Sequence, residues 1–149
     1  MSRPQVYVSG PLTGVPNVLV LKKFYEKIAQ ICLDLKMTAY LPHLKSDPIK
    51  HANIPPEDVY KMDSHQVIIA DLIIAYIGVP SLGVGAELEI AHYNNIPIIL
   101  LYEAGDKPVS RMARGNPAVI NQIVFIDFDD AIIKLEIALR DFKKAMRHP

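Results

Sequence analysis

The run Leu72-Ile73-Ile74-Ala75-Tyr76-Ile77 contains no charged side chain. A strand with one wet face alternates apolar and polar residues, so a run like this one belongs to a strand covered on both sides, as in a parallel sheet flanked by helices. The flanking sequence supplies the helices. Gln5 to Ser9 reads as a first strand, and Asn17 to Leu35 has helical apolar spacing at Leu21, Phe24, Ile28, Ile31 and Leu35. Met37 to Leu41 reads as a second strand, Pro42 to Pro56 as a proline-containing loop, and Glu57 to Ala70 as a helix with Asp58 in its first turn. The apolar strand is followed by a glycine turn, a helix to Asn94, a strand at Pro97 to Leu101 and a short last strand at Ile123 to Ile126. Asp129 to Arg147 is the terminal helix, with Asp129 as its N-cap and Lys143, Lys144 and Arg147 near its C-terminus. Strands alternating with helices in this way predict one doubly wound α/β domain over residues 1–149, Rossmann- or flavodoxin-like, with a five-stranded, mainly parallel sheet and helices on both faces.

A chain of 149 residues that is 50% hydrophobic can bury a sizeable core in one domain. Lys+Arg and Asp+Glu both count 16, so no basic excess points to a nucleic-acid polymer, and a small molecule is the expected partner. The single Cys32 lies on the apolar stripe of the first helix, which predicts a core thiol and no internal disulfide. The longest apolar run is interrupted by Asp71, too short for a membrane span. Met1 to Pro4 leads into a strand, not a signal sequence, so a cytoplasmic protein is expected.

In a doubly wound sheet, ligands bind beyond the carboxyl ends of the strands. That rule selects three loops: Ser9 to Pro16, Gly78 to Gly85 and Tyr102 to Pro117. In the second, Pro80-Ser81-Leu82-Gly83-Val84-Gly85-Ala86-Glu87 places a carboxylate just after two glycines, where an apolar helix begins. The glycines are expected to let the backbone turn and approach a ligand, the helix start to favour an anionic group, and Glu87 to sit ionised in the first turn. An acid there is also what the helix dipole alone favours. Gly83-Val84-Gly85 lacks the third glycine of a dinucleotide fingerprint, and Gly10 to Gly14 lacks the Gly-Lys-Ser/Thr of a P-loop. The five histidines show no compact spacing with cysteines or acids, so no metal and no cofactor are expected. His43 and His51 lie in the long loop within possible reach of a ligand.

Tyr7-Val8-Ser9-Gly10-Pro11-Leu12, Asp63, Ala70-Asp71 and Pro80 to Leu88 stand in the order and spacing of the nucleoside 2-deoxyribosyltransferase superfamily, which this chain resembles over most of its length. Within it the chain is most similar to the 2'-deoxynucleoside 5'-phosphate N-hydrolases, whose phosphate-binding serine precedes the catalytic glutamate by six residues, as Ser81 precedes Glu87. Val109-Ser110-Arg111-Met112-Ala113-Arg114-Gly115 resembles the segment by which a neighbouring subunit supplies another serine to the phosphate. Two departures stand beside this. The loop after the first strand lacks the arginine of the animal hydrolases, and Gly10-Pro11 is closer to the transferase pattern.

The resemblance implies Glu87 as nucleophile, Asp63 as proton donor to the departing base and Tyr7 as the tyrosine that orients the glutamate. It implies Ser9, Gly10, Ser81, Gly83, Gly85, Ser110 and Met112 as substrate-binding positions. The chemistry fits the residue types: an oxocarbenium-like transition state needs one ionised carboxylate at the anomeric carbon and one proton donor at the base. A nearby Glu87 anion is expected to raise the pKa of Asp63. Asp71 is expected to be structural. The implied activity is hydrolysis of (deoxy)nucleoside 5'-monophosphates without a cofactor, by a homodimer or higher homo-oligomer whose site is shared across the interface. A base-exchanging transferase and a non-catalytic nucleotide sensor are the alternatives.

Overall fold

The computed structural model describes residues 2–148. The chain runs β1 (Gln5–Ser9), α1 (Val18–Asp34), β2 (Thr38–Tyr40), α2 (His43–Ser46), α3 (Pro56–Ile68), β3 (Leu72–Tyr76), α4 (Leu82–Tyr93), β4 (Ile98–Glu103), α5 (Arg111–Arg114), β5 (Val119–Phe125) and α6 (Phe128–Arg147). All strand pairings are parallel and the order is β2-β1-β3-β4-β5. This is the flavodoxin-like arrangement, in which connections leave β1 and β3 in opposite directions and open a crevice between them.

Side-chain alternation along the strands divides the core in two. Val6 and Val8 of β1, Leu72, Ile74 and Tyr76 of β3, Ile99 and Leu101 of β4 and Phe125 of β5 pack against α1 and α6. Tyr7, Ile73, Ala75, Ile98 and Leu100 face the other way, against Val67 of α3 and Val84, Leu88 and Ala91 of α4. β3 is buried at every position, as its apolar run requires. Cys32 is fully buried in the α1 layer, and burial pushes its thiol up to about 12. Among the described residues no helix is long and apolar enough to cross a membrane.

Three local expectations are corrected. Asp127, not Asp129, caps α6: its side chain accepts from the Asp130 N–H at 2.8 Å, while Asp130 Oδ2 accepts from the Ile126 N–H at 2.9 Å. β5 starts at Val119, four residues before Ile123, because this edge strand leaves Ile120, Asn121 and Gln122 exposed and so shows little apolar signal. The proline-containing loop holds a turn of helix, α2, followed by an Asp47 whose Oδ1 accepts from the N–H groups of Ile49 and Lys50.

Candidate functional site

Strand periodicity puts Tyr7 and Ser9 on the same face of β1, and both are fully buried. They point toward the layer formed by α3 and α4. From α4, Gly83, Ala86, Glu87 and Ile90 recur at helical spacing and line a cavity of ≈ 420 Å³. From α3, Val59, Tyr60, Asp63 and Ser64 form the opposing wall, and Ser46, His51 and Ile54 of the α2–α3 segment close it. Glu87 and Asp63 therefore share one cavity, although 24 residues separate them in the chain. Most of the remaining lining is apolar.

Glu87 is half-buried as a residue, but its Oε2 is fully buried and has no hydrogen-bond partner of regular geometry. The hydroxyls of Tyr7 and Ser9 are orphaned in the same sense. Burial pushes the Glu87 carboxyl up to about 8, with a further push from the negative charge of Asp63; the adjacent Tyr7 and Ser9 hydroxyls act against it by favouring the anion. Glu87 thus departs from expectation twice. It stands in the second turn of α4, since Ser81 is the N-cap, and in the free protein near neutral pH it holds its proton.

Asp63 is also raised, chiefly by burial and not by Glu87. Ser46 Oγ lies 3.4 Å from both Asp63 oxygens, and the Tyr40 hydroxyl approaches the same carboxyl; both pull its pKa back down. Neither Tyr40 nor Ser46 was marked by sequence reasoning. The only signal for Tyr40 was its place in a predicted second strand, which acquires meaning once the β1–β2 register sets it beside Tyr7. Asp71 bonds the Gln5 N–H at 2.7 Å and holds the start of β1, as a structural acid.

No protein-family model matches the chain. Among curated proteins it is 44% identical over 62 residues to a protein of Syntrophotalea carbinolica provisionally named 2'-deoxynucleoside 5'-phosphate N-hydrolase 1, a match spanning 41% of this chain and 44% of the relative. It is 28% identical over 138 residues to a protein of the same name from Thermofilum pendens, spanning 91% of this chain and 94% of the relative. The Clostridium botulinum CMP N-glycosidase BcmB superposes with a TM-score of 0.68 at 20% identity, over 90% of this chain and 98% of that one. A 2-deoxyribosyltransferase from Bacillus psychrosaccharolyticus gives a TM-score of 0.61 at 20% identity, over 86% and 90%. The chain is thus similar in sequence to proteins named as 2'-deoxynucleoside 5'-phosphate N-hydrolases and shares its fold with the N-glycosidase and the 2-deoxyribosyltransferase.

Against the superfamily pattern, the remaining positions sort as follows. Ser81 caps α4, accepting from the Val84 N–H at 3.3 Å, which leaves its own hydroxyl hydrogen free to donate. Gly83 and Gly85 do not make the turn: both lie inside α4 and neither has a positive φ. A side chain on Gly85 would meet nothing within 4 Å, and one on Gly83 only Ser81 Oγ at 3.9 Å, so the two glycines keep open space over the helix start. Gly10 has a packing reason of its own. A Cβ there would stand 2.3 Å from the Tyr25 ring, whose hydroxyl donates to the Pro11 carbonyl.

Ser110 and Met112 lie elsewhere. Ser110 caps α5, accepting from the Ala113 N–H, and with Pro80, Lys107, Arg111 and Arg114 it lines a separate depression at the carboxyl ends of β4 and β5. Met112 is exposed. Among the described residues no cluster of His, Cys, Asp and Glu is placed to hold a metal ion.

Proposed function

We propose that the chain is an N-glycosidase that hydrolyses (deoxy)nucleoside 5'-monophosphates to a free base and (deoxy)ribose 5-phosphate. The observation that carries the reading is the meeting of Glu87 and Asp63 in one largely apolar cavity, with the buried Tyr7 hydroxyl beside Glu87. The names of the curated relatives point to the same substrate class.

In this reading the Glu87 carboxylate attacks the anomeric carbon as the C1'–N bond breaks, and the bonding pair leaves with the base, which takes a proton from Asp63. Positive charge developing on the sugar stabilises the Glu87 anion, with the Tyr7 and Ser9 hydroxyls as donors to it. Water then gives a proton to Asp63 and attacks C1', releasing the sugar phosphate and regenerating both carboxyls. The Ser81 hydroxyl and the open backbone at Gly83 and Gly85 suit a 5'-phosphate at the α4 N-terminus. Ser110 from a second copy of the chain is proposed to complete that phosphate site, which makes the working unit at least a homodimer. The apolar wall of Ile54, Val59 and Ile90 would hold the base.

Base exchange is the second reading, favoured by the Gly10-Pro11 turn. Both are tested by chromatography of nucleosides and their 5'-monophosphates, ribo and deoxy, with an acceptor base present and Glu87→Ala as control. Hydrolysis confined to monophosphates and lost in the control supports the first reading. A new nucleoside made from the acceptor supports the second, and binding without turnover refutes both.

A further inference from the structure

Asp63 is held from two sides by residues outside the superfamily motifs. Tyr40 is the register partner of Tyr7 across the β1–β2 pair, and the two rings stack with centroids 5.6 Å apart and planes 19° apart. That stack fixes the Tyr40 ring and directs its hydroxyl toward Asp63 on α3. Burial and the neighbouring Asp63 and Glu87 carboxyls push the Tyr40 phenol up to about 12, so it remains a hydrogen donor throughout the working pH range.

Ser46 approaches from the other side, 3.4 Å from each Asp63 oxygen, its hydroxyl hydrogen shared with the Pro42 carbonyl at 3.2 Å. Its own position is fixed by the next residue. Asp47 forms a buried ion pair with Lys22 of α1 and accepts from two backbone N–H groups of its own loop.

We infer that Tyr40 and Ser46 are positioning residues that hold the Asp63 carboxyl against the cavity and set how readily it gives up and takes back its proton. Burial alone favours the acid form, and a carboxyl that cannot release its proton is a poor donor to a leaving base. Two hydroxyl donors aimed at the same oxygens favour the anion that remains after proton transfer. The role of this proton in catalysis rests on the hydrolase reading; the effect on Asp63 itself does not.

The test combines a property of the free protein with a kinetic one. Carbon-13 NMR titration of the Asp63 carboxyl is compared among the intact chain, Tyr40→Phe and Ser46→Ala. The Phe variant keeps the ring stacked on Tyr7, and the Ser46 variant gives a second, independent loss. The other groups facing Asp63 are Glu87 from α4, Tyr7 from β1, Tyr60 on α3 and His51 from the α2–α3 segment; the Glu87 carbons are followed in the same spectra. Each variant is expected to move the Asp63 midpoint upward by about one unit. Release of base from a 5'-monophosphate should show kcat about tenfold lower in Tyr40→Phe with KM within about twofold, an effect lost for a base that departs without protonation. An Asp63 midpoint unchanged in both variants overturns the inference, even if activity falls. A shifted midpoint supports it even if the intact protein releases no base, in which case the hydrolase reading alone fails.

Discussion

The Tyr7 hydroxyl and Glu87 Oε2 are buried beside each other on the α3–α4 face of β1, and neither has a hydrogen bond of regular geometry. The Ser9 hydroxyl beside them is unsatisfied too, and such a cluster of orphaned polar atoms marks a place where stability yields to function. Tyr7→Phe removes one orphan while keeping the ring in the core. It should leave the unfolding free energy unchanged or raise it by up to about 1 kcal/mol, while kcat/KM for base release falls by about tenfold or more. Urea melts and initial rates on the same samples check both halves.

Glu87 gives a pH signature to the fold. Its folded-state pKa, about 8, lies above the ordinary 4.5 because burial disfavours the anion. Between those values the unfolded chain loses this proton while the folded chain keeps it. The stability contributed by Glu87 is therefore complete below about 4.5 and is lost as pH rises through about 8. Glu87→Gln cannot ionise, so its unfolding free energy should pull ahead of the parent protein's from pH 5 to pH 9, by a ceiling of about 5 kcal/mol. Parallel curves would show that Glu87 ionises freely in the fold. In kinetics, the attacking anion should grow with pH, so kcat/KM should climb toward pH 8 on its acidic limb.

Asp63→Asn should separate proton donation from attack. The amide keeps the shape of the side chain and the Ser46 and Tyr40 contacts, but donates no acid proton. Base release from natural monophosphates should fall by roughly 10²- to 10⁴-fold. A substrate whose base departs as a stable anion should lose far less. Equal losses on both substrates would place Asp63 in binding, not in proton transfer.

Much of this arrangement was legible in the sequence because it is local. The apolar β3 run fixed a sheet covered on both faces, and the strand and helix periodicities around it gave the five strands and the long helices. Glu87 and Asp63 were picked out by motif spacing and do meet in one cavity. What the sequence concealed depends on contacts between distant segments. The contact of Tyr40 with Tyr7 exists only through parallel register, Ser46 reaches Asp63 only because α2 folds back over α3, and the protonated state of Glu87 follows from burial that a helix-start pattern does not reveal. The edge strand β5 began earlier than its apolar residues suggested because half of its surface faces water.

The Lys22–Asp47 pair should prove to be the anchor of the cavity wall. Asp47 is 1% exposed and lies next to Ser46, so the ion pair ties the α2 segment to α1. Burial would raise the Asp47 carboxyl, but Lys22 and the N–H groups of Ile49 and Lys50 outweigh it and hold it at about 2. Lys22→Met removes the cation and leaves a buried carboxylate without its main partner. Asp47 keeps the Ile49 and Lys50 N–H donors when Lys22 is lost, so the cost should sit at the low end for breaking a buried ion pair, about 3 kcal/mol. The sign of the pH effect follows from the lowered pKa. In the parent protein this contribution is present above about 3.8 and is lost as pH falls through about 2, whereas the variant lacks it at neutral pH already. Urea melts from pH 2 to pH 7 should therefore show the two proteins converging at the acid end. Because Ser46 moves with its neighbour, the variant should also lower kcat, and Asp47→Asn added to Lys22→Met should recover part of the stability by removing the stranded charge. If the double variant is no more stable than Lys22→Met alone, the pair is solvated and does not anchor the wall.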